Sequence, residues 1–309
     1  MIWRRLGSWI RQLRPPISGR GVVISVPYIW LTVFLALPIL IVLEISFSAA
    51  RIGIPPYEPI VQFLDGGYVD IKLNFGNYGY LLTDDIYISA YFNSVRIAFF
   101  STILCLLIGY PMAYGIARSE PGTRTILLMM VIMPFWTSFL IRIYAWIGIL
   151  KENGLINNLL IAIGVIHQPL AILNTPAAVY IGMVYGYLPF MILPLYTNLE
   201  KLDGSLLEAA ADLGARPLRT FLSVTLPLSM PGVIAGSLLV FIPACGEYVI
   251  PSLLGGPNTY MIGTQIAGEF FENHDWPVAS AVAIALLVIL LGPIVWYQRI
   301  ETRNRGARA

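Results

Sequence analysis

Six long apolar segments, separated by shorter polar stretches, dominate the hydrophobicity pattern of this sequence. They cover residues 22–47, 92–117, 125–150, 176–199, 231–253 and 278–298. A bilayer core requires about 20 consecutive apolar residues in α-helical conformation, and each segment is long enough to cross it. The pattern therefore predicts an all-α, polytopic membrane protein with six transmembrane helices.

The overall composition supports a membrane protein and argues against several functional classes. Of the 309 residues, 57% are hydrophobic and 12% are charged, with a mean hydropathy of +0.75, far more apolar than an ordinary soluble domain. The net charge of +2 is small and dispersed, so no nucleic-acid partner is expected. Cys105 and Cys245 both fall within apolar segments. We interpret them as packing residues, and we predict neither a metal site nor a cofactor.

The lysine and arginine residues divide the loops into two groups. Loops 118–124 and 200–226 hold Arg118, Arg124, Lys201, Arg216 and Arg219, and further arginines lie in the segments 1–21 and 299–309. Loops 49–91, 151–175 and 254–277 hold only Arg51, Lys72 and Lys151. Because basic loops stay on the cytoplasmic side, both termini are predicted to be cytoplasmic.

This topology predicts one transmembrane domain over residues 22–298, with cytoplasmic tails at 1–21 and 299–309. The first apolar segment is too long for a cleaved secretory signal, so we expect it to remain as an anchor. In the first external loop the acidic residues include Asp65, Asp70, Asp84 and Asp85. This loop is either a solvated connector or an attractive surface for a cationic substrate or its carrier.

The second external loop carries a shorter amphipathic pattern. Apolar residues recur at helical spacing over 155–163, which predicts an interfacial helix lying on the outer leaflet. The asparagines on its opposite side are Asn153, Asn157 and Asn158.

A polar stretch, residues 208–227, separates two apolar segments on the predicted cytoplasmic side. Ser205 and Glu208 have the spacing of a capping box, which predicts a helix from about Leu206. Gly214 can adopt the left-handed geometry that ends a helix, and Pro217 suits the first turn of the next one. From helix physics alone, this helix–turn–helix is equally well interpreted as a well-capped connector between two membrane spans.

The spacing within this stretch is that of a known motif. It reads Glu208-Ala209-Ala210, three residues, Gly214, nine residues, then Val224-x-Leu226-Pro227. This resembles the EAA loop of ABC importer permeases, with Val224 where that family usually has isoleucine. The resemblance implies a type I permease fold and a cytoplasmic coupling helix that docks into a cleft on an ATPase subunit. It assigns the coupling role to Glu208, Ala209, Ala210 and Gly214.

Two charges lie deep inside apolar segments and require an explanation. Arg142 and Glu247 each cost about 2.5 to 3.5 kcal/mol on membrane-insertion scales. Counting along straight helices gives them a similar depth in the outer half of the membrane, where we expect that they can pair. A structural ion pair or water-exposed helix ends are one interpretation, and a gate or substrate contact is the other. Aromatic residues beside a carboxylate would favour an alkyl diammonium ligand.

Further motifs narrow the resemblance. They are Gly109-Tyr110-Pro111, the runs 134–142 and 189–196, the run 246–251 with Leu254-Gly255-Gly256, and Asp275-Trp276-Pro277. Together they are similar to the permeases of putrescine and spermidine importers, most of all to the first permease subunit of putrescine systems. The resemblance implies a bacterial inner-membrane location, a second homologous permease subunit, two copies of an ATP-binding subunit and a periplasmic polyamine-binding protein. On this basis we expect Trp136, Arg142, Glu247, Tyr248 and Asp275 to face the substrate pathway.

The predicted function is therefore transport without intrinsic catalysis. The chain contains no Gly-x-x-x-x-Gly-Lys-Ser/Thr phosphate loop, so ATP hydrolysis is expected on a partner subunit, coupled to alternating access of this one. Putrescine is the expected substrate, with spermidine or another small cationic solute as the alternative. An ATP-independent channel or secondary transporter would leave the cytoplasmic loop unexplained, and no clustered ligands or nucleophile–base pair within the spans favour an embedded enzyme.

Overall fold

The computed structural model describes residues 19–64, 68–257 and 259–306. Most of the predicted tail 1–21, Asp65 of the acidic loop and the end of the tail 299–309 lie outside these ranges. The described residues form two compact units. One comprises the residues up to Asn77 together with Asp275–Ile284, and the other comprises Tyr78–His274 together with the residues from Ala285 onwards.

The first unit begins with one long apolar helical run. Helix α1 (Gly19–Leu31) continues through a π-helical turn, Thr32–Ala36, into α2 (Leu37–Ser46). The stretch Val23–Ser46 is long and apolar enough to cross a membrane, and its large apolar side chains are mostly exposed. A helix whose apolar surface faces outward is suited to lipid or to a neighbouring subunit.

A small β-hairpin follows, which the all-α prediction omitted. Strand β1 (Val61–Leu64) pairs antiparallel with β2 (Tyr68–Ile71), so that Val61 lies opposite Ile71. The strands are rich in β-branched and aromatic residues, and the sequence between them contains an Asp-Gly dipeptide, the usual signal of a hairpin turn.

Three helices form the core of the second unit: α4 (Asp85–Arg118), which follows α3 (Gly76–Thr83), α8 (Pro176–Leu199) and α11 (Leu226–Cys245). Close approach of α8 and α11 depends on glycine. A Cβ atom on Gly236 would lie 2.8 Å from the Met191 sulfur and 3.1 Å from the Met191 carbonyl oxygen. Small residues of this kind let two membrane helices pack backbone against backbone.

Helix α4 begins earlier than the hydrophobicity pattern predicted. It starts at Asp85 rather than near residue 92 because the Asp84 carboxylate accepts a hydrogen bond from the Ile86 N–H at 2.8 Å. This N-cap satisfies a backbone donor that would otherwise lack a partner. The polar first turns therefore belong to the same helix as the apolar segment.

The predicted third span, 125–150, is broken rather than straight. Helix α5 (Pro121–Ile132) and a 3₁₀ turn, Met133–Trp136, are followed by α6 (Phe139–Leu150) and α7 (Leu155–Ala162). The two halves meet at 92°. Thr137 is extended, and both its N–H and its hydroxyl donate to the Pro134 carbonyl, at 3.3 and 2.9 Å. These bonds end the first half, so a straight span here was wrong.

Helix α7 confirms the predicted helical spacing of the second external loop but corrects its polar side. Asn157 is fully buried rather than solvated. Its side-chain nitrogen donates to the carbonyls of Lys151 and Leu170, at 3.3 and 2.9 Å, and its side-chain oxygen accepts from the Leu170 N–H at 2.8 Å. Asn157 therefore holds the loop after α7 in place.

The predicted fifth span, 231–253, has different boundaries in the structure. A continuous helical run, Pro217–Cys245, contains α10 (Pro217–Thr220), a π-helical turn and α11. It ends at Gly246, and the short α12 (Val249–Leu254) follows separately. The span therefore begins inside the stretch that the sequence marked as polar and ends before Glu247.

The remaining helices are α9 (Ser205–Asp212), α13 (Ile262–Ala267) with the π-helical turn Gly268–Glu272, and α14 (Trp276–Gly306). Within the described ranges four helices are long and apolar enough to span a membrane, and a fifth span exists if the bent pair counts as one. In α14 the stretch Trp276–Gly292 is apolar but shorter. Six transmembrane helices therefore remain a prediction.

Candidate functional site

The polar loop forms a short helix, a tight turn and a second helix, as the sequence predicted. Helix α9 ends in a turn in which Gly214 has a φ of +75°. The Gly214 N–H donates to the Ala211 carbonyl at 2.8 Å, and the Ala215 N–H donates to the Ala210 carbonyl at 3.0 Å. This pair of bonds is the Schellman arrangement of helix ends. The left-handed Gly214 and the helix start at Pro217 are both confirmed.

The predicted capping box at the start of α9 was wrong. Ser205 lies inside the helix, and its N–H donates to the Asp203 carboxylate at 3.0 Å. The hydrogen bond from the Ser205 N–H is the main cause that holds the pKa of the Asp203 carboxyl below its usual range. The helix starts earlier than the capping box requires, because Asp203 accepts from the Ser205 N–H and the Gly204 carbonyl already accepts from the N–H groups of Leu207 and Glu208.

The loop presents an apolar surface together with the motif residues. Glu208, Ala209 and Gly214 are exposed, and Ala210 is half-buried. Leu213, at the end of α9, is 89% exposed. The other large exposed apolar side chains of the loop are Leu206, Leu218 and Leu222. A cluster of exposed leucines on a polar loop is typical of a protein-binding surface.

Arg142 is buried in an aromatic cage and forms no ion pair with any residue that the structure describes. Its guanidinium carbon lies 5.4, 5.6 and 5.8 Å from the ring centres of Phe135, Phe139 and Tyr185. The residue is 9% exposed, and its Nε has no hydrogen-bond partner among the described residues. Cation–π contacts with three rings offset part of the cost of burying the charge.

Glu247 lies in the break between α11 and α12 instead of in mid-helix. One carboxylate oxygen accepts from the N–H groups of Val249 and Ile250 at 2.9 and 3.4 Å, which caps α12. The other oxygen accepts from the Tyr187 hydroxyl of α8 at 2.5 Å. Tyr187 was not among the predicted residues, since nothing local in the sequence marks a tyrosine within an apolar helix as the partner of a distant carboxylate.

The expected pairing of Arg142 with Glu247 is not formed. The ion pairs among the described residues are Lys72 with Asp70 and Arg124 with Glu200. The expectation rested on straight helices, but Arg142 lies one turn beyond the break that begins α6, and Glu247 lies in a second break. Helix α12 nevertheless packs against α6 and α8, and Ile250 and Leu254 lie directly over Gly182 of α8.

The other three expected pathway residues differ in their surroundings. Trp136 is 82% exposed and Tyr248 is 47% exposed, so both side chains are available for contact. In the other compact unit, an Asp275 carboxylate oxygen accepts from the Val278 N–H at 3.0 Å, which caps the start of α14. One carboxylate oxygen of Asp275 therefore has a structural role, the capping of α14.

Comparison with known proteins places the chain among transport components. Residues 105–306 match the family model described as binding-protein-dependent transport system inner membrane component. The chain is 41% identical to the spermidine/putrescine transport system permease protein PotB of Haemophilus influenzae, over 92% of this chain and 95% of that protein. Identity to PotB of Escherichia coli strain K12 is also 41%, over 89% and 96% of the two chains.

A solved structure shows the same fold. The bacterial alginate ABC transporter, in complex with a periplasmic protein bound to an alginate pentasaccharide, contains a chain that superposes with a TM-score of 0.67 at 18% identity. The match covers 92% of this chain and 93% of that one. The chain described here belongs to the family of binding-protein-dependent transport system inner membrane components, the permease subunits of ABC importers.

Proposed function

We propose that this chain is the transmembrane permease subunit of an ATP-driven importer that moves polyamines, foremost putrescine, from the periplasm to the cytoplasm by alternating access. The observation that carries the substrate class is the 41% identity to spermidine/putrescine permeases over about nine-tenths of the chain. The proposal includes six transmembrane helices within residues 22–298 and cytoplasmic tails at 1–21 and 299–309.

The loop from α9 to α10 is the proposed docking point for the ATPase. Its exposed leucines and the rigid left-handed turn at Gly214 support a protein contact with a fixed shape. Glu208, Ala209, Ala210 and Gly214 form the coupling surface. ATP binding draws two ATPase subunits together, and the loop transmits this movement because each state of the bundle fits one ATPase geometry better.

Two further partners belong to the proposal. A second homologous permease subunit pairs with this one, and a periplasmic polyamine-binding protein delivers the substrate, as the solved alginate transporter with its periplasmic protein supports by analogy. Membrane lipid or the second permease covers the exposed apolar surface of Val23–Ser46.

Glu247 is the strongest candidate for a substrate contact. Its carboxylate is half-buried and forms no ion pair within the described part of the chain, and its hydrogen-bond donors there, including Tyr187, are neutral groups. A protonated amine would supply the missing positive charge and a charge-assisted hydrogen bond. Tyr248 and Trp136 are exposed aromatic residues suited to hold an alkyl chain or an ammonium group.

Arg142 and Asp275 are the remaining residues of the proposed pathway. The negative faces of three aromatic rings lie against the Arg142 guanidinium and oppose part of its field, which reduces the repulsion that a dication would meet. Asp275 retains a carboxylate charge beside its capping role and is a candidate for attracting the substrate on the external side.

The experiment is uptake of radiolabelled putrescine, with spermidine as competitor, in cells that lack native polyamine import. Cells carrying the complete system are compared, at equal protein level, with cells carrying Glu247→Gln and with cells that lack the ATP-binding subunit. Loss of a charged hydrogen bond of about 1.5–3 kcal/mol corresponds to a loss of uptake of about tenfold or more. Glu152→Gln is the control, since Glu152 is exposed and has no hydrogen bond or ion pair among the described residues.

Each outcome of this experiment has a defined meaning. If the native system takes up putrescine, Glu247→Gln abolishes this uptake and Glu152→Gln leaves it intact, both the proposed substrate and the role of Glu247 are supported. Preferred uptake of spermidine supports the alternative substrate. Uptake that persists without the ATP-binding subunit contradicts the importer class, and absence of any polyamine uptake contradicts the substrate class.

A further inference from the structure

Arg124, in the first turn of α5, contacts the ends of two core helices at once. One terminal nitrogen donates to a Glu200 carboxylate oxygen at 2.7 Å, just after the last residue of α8. The other terminal nitrogen donates to the carbonyls of Ala117 and Ser119, at 3.1 and 3.2 Å, at the end of α4. One guanidinium group therefore joins the ends of α4 and α8.

The chemistry of this contact suits arginine in particular. The last carbonyls of a helix lack partners within the helix and carry partial negative charge, so a cation at this point is favourable. The planar fork of arginine directs one nitrogen at the carboxylate and the other at the carbonyls, which a lysine ammonium cannot do simultaneously. The Arg124 side chain is 25% exposed and that of Glu200 is 39% exposed, so the pair is partly shielded from solvent.

This contact lies immediately beside the coupling loop, the proposed ATPase-docking segment from α9 to α10. Only the turn 201–204 separates Glu200 from the first residue of α9, and that turn is itself held by hydrogen bonds from Leu202 to Leu199 and from Ser205 to Asp203. A displacement of α9 therefore reaches Glu200 through a short, hydrogen-bonded segment. From Glu200 the path continues through Arg124 into α4.

We propose that Arg124 and Glu200 form a coupling brace, that is, a contact that holds the ends of α4 and α8 together. Through this brace, movement of the coupling loop displaces α4 and α8 together. Arg124 acts as a positioning residue, since its hydrogen bonds go to Glu200, Ala117 and Ser119 of this chain. The inference rests on the proposed docking of an ATPase at the loop. Because α4, α8 and α11 form the core of this unit, a brace between α4 and α8 makes the core respond as one body.

The test uses the purified, complete transporter reconstituted in liposomes with its ATPase, second permease and binding protein. Three variants weaken the brace by different amounts: Arg124→Ala, Arg124→Lys and Glu200→Gln. Lys201→Gln is the matched control, because Lys201 is the exposed neighbour of Glu200 and has no hydrogen bond or ion pair among the described residues. The measured quantities are retention of the ATPase subunit on purification, ATP hydrolysis, and putrescine transported per ATP hydrolysed.

We expect Arg124→Ala to retain the ATPase subunit and to hydrolyse ATP, while transport per ATP falls between about 2-fold and about 30-fold, the range for residues that carry coupling. Arg124→Lys and Glu200→Gln fall between this variant and the native protein, since each keeps part of the contact. The double variant Arg124→Ala with Glu200→Gln is no worse than Arg124→Ala alone, because both changes remove the same interaction.

Normal transport per ATP in Arg124→Ala overturns the brace. So does a loss of the ATPase subunit in parallel with the loss of transport, because the pair is then a determinant of assembly only. If Arg124→Ala does not accumulate, Arg124→Lys and Glu200→Gln decide by the same two criteria. Failure of the proposed function is seen separately, as the absence of ATP-dependent uptake in the native complex.

Discussion

The Tyr187 hydroxyl donates a hydrogen bond to the Glu247 carboxylate across 60 residues of sequence. The bond links α8 to the break between α11 and α12, and the other oxygen of the same carboxylate caps α12. A single carboxylate therefore sets the position of α12 relative to α8. Because its donors are neutral, its negative charge remains available to a cation.

Tyr187→Phe is expected to destabilise the protein without removing this charge. The substitution leaves one carboxylate oxygen without its donor, which costs about 1.5–3 kcal/mol for a hydrogen bond to a charged group. We expect a lower thermal unfolding temperature of the detergent-solubilised transporter, while putrescine uptake by the protein that remains folded survives. Tyr185→Phe is the control, since the Tyr185 hydroxyl of the same helix has no hydrogen bond to another described residue, and the ring that contacts Arg142 is retained. Equal stability of the two variants would contradict the bond.

Arg142→Lys is expected to lower stability although it conserves the charge. The planar guanidinium stacks against three rings, whereas an ammonium is more strongly hydrated and lacks a flat face. The expected loss is about 0.5–2 kcal/mol, measured as a lower unfolding temperature in detergent. Arg96→Lys is the matched control, since Arg96 is exposed and has no cation–π contact or ion pair among the described residues. If both substitutions have the same small effect, the cage around Arg142 contributes nothing.

Local features of the chain could be predicted from the sequence because they depend on neighbouring residues. The left-handed turn at Gly214 and the helix start at Pro217 follow from backbone properties of glycine and proline, and both are confirmed. The cap of α9 was assigned to Ser205 instead of Asp203, because two good capping residues compete there and only the final geometry decides between them.

The breaks within the apolar segments could not be predicted in the same way. The residues around Thr137 and Gly246 keep the hydrophobicity of their segments high, so the pattern cannot distinguish a straight span from two helices that meet at an angle. The partners of Glu247 and Arg142 were missed for the same reason. Tyr187 and Tyr185 become their neighbours only when α8 packs against α12 and α6.

Leu213→Ser is expected to weaken attachment of the ATPase subunit. Leu213 is the most exposed leucine of the loop from α9 to α10, at 89%. If its side chain becomes buried against the ATPase, its loss removes about 1.5–3 kcal/mol of binding, or about tenfold or more in affinity. The measurement is copurification of the ATPase subunit at increasing salt and detergent. Leu155→Ser, which removes another exposed leucine in α7, should leave copurification unchanged. An equal effect of both variants would show that exposed leucines matter only for general solubility.

Gly214→Ala is expected to uncouple ATP hydrolysis from transport while membrane insertion stays normal. At a φ of +75° an alanine side chain is strained by about 1–2 kcal/mol, although no neighbouring atom lies within 4 Å of the new Cβ. The chain relieves this strain by changing the angle between α9 and α10, which displaces the motif residues Glu208 and Ala209. Gly204→Ala, on the other side of α9, is the matched control, since Gly204 has a φ of −61° and equally open surroundings. The measurement is putrescine transported per ATP hydrolysed in the reconstituted transporter. A fall in Gly214→Ala alone assigns the effect to the turn, and equal transport in the two variants removes the turn from the coupling mechanism.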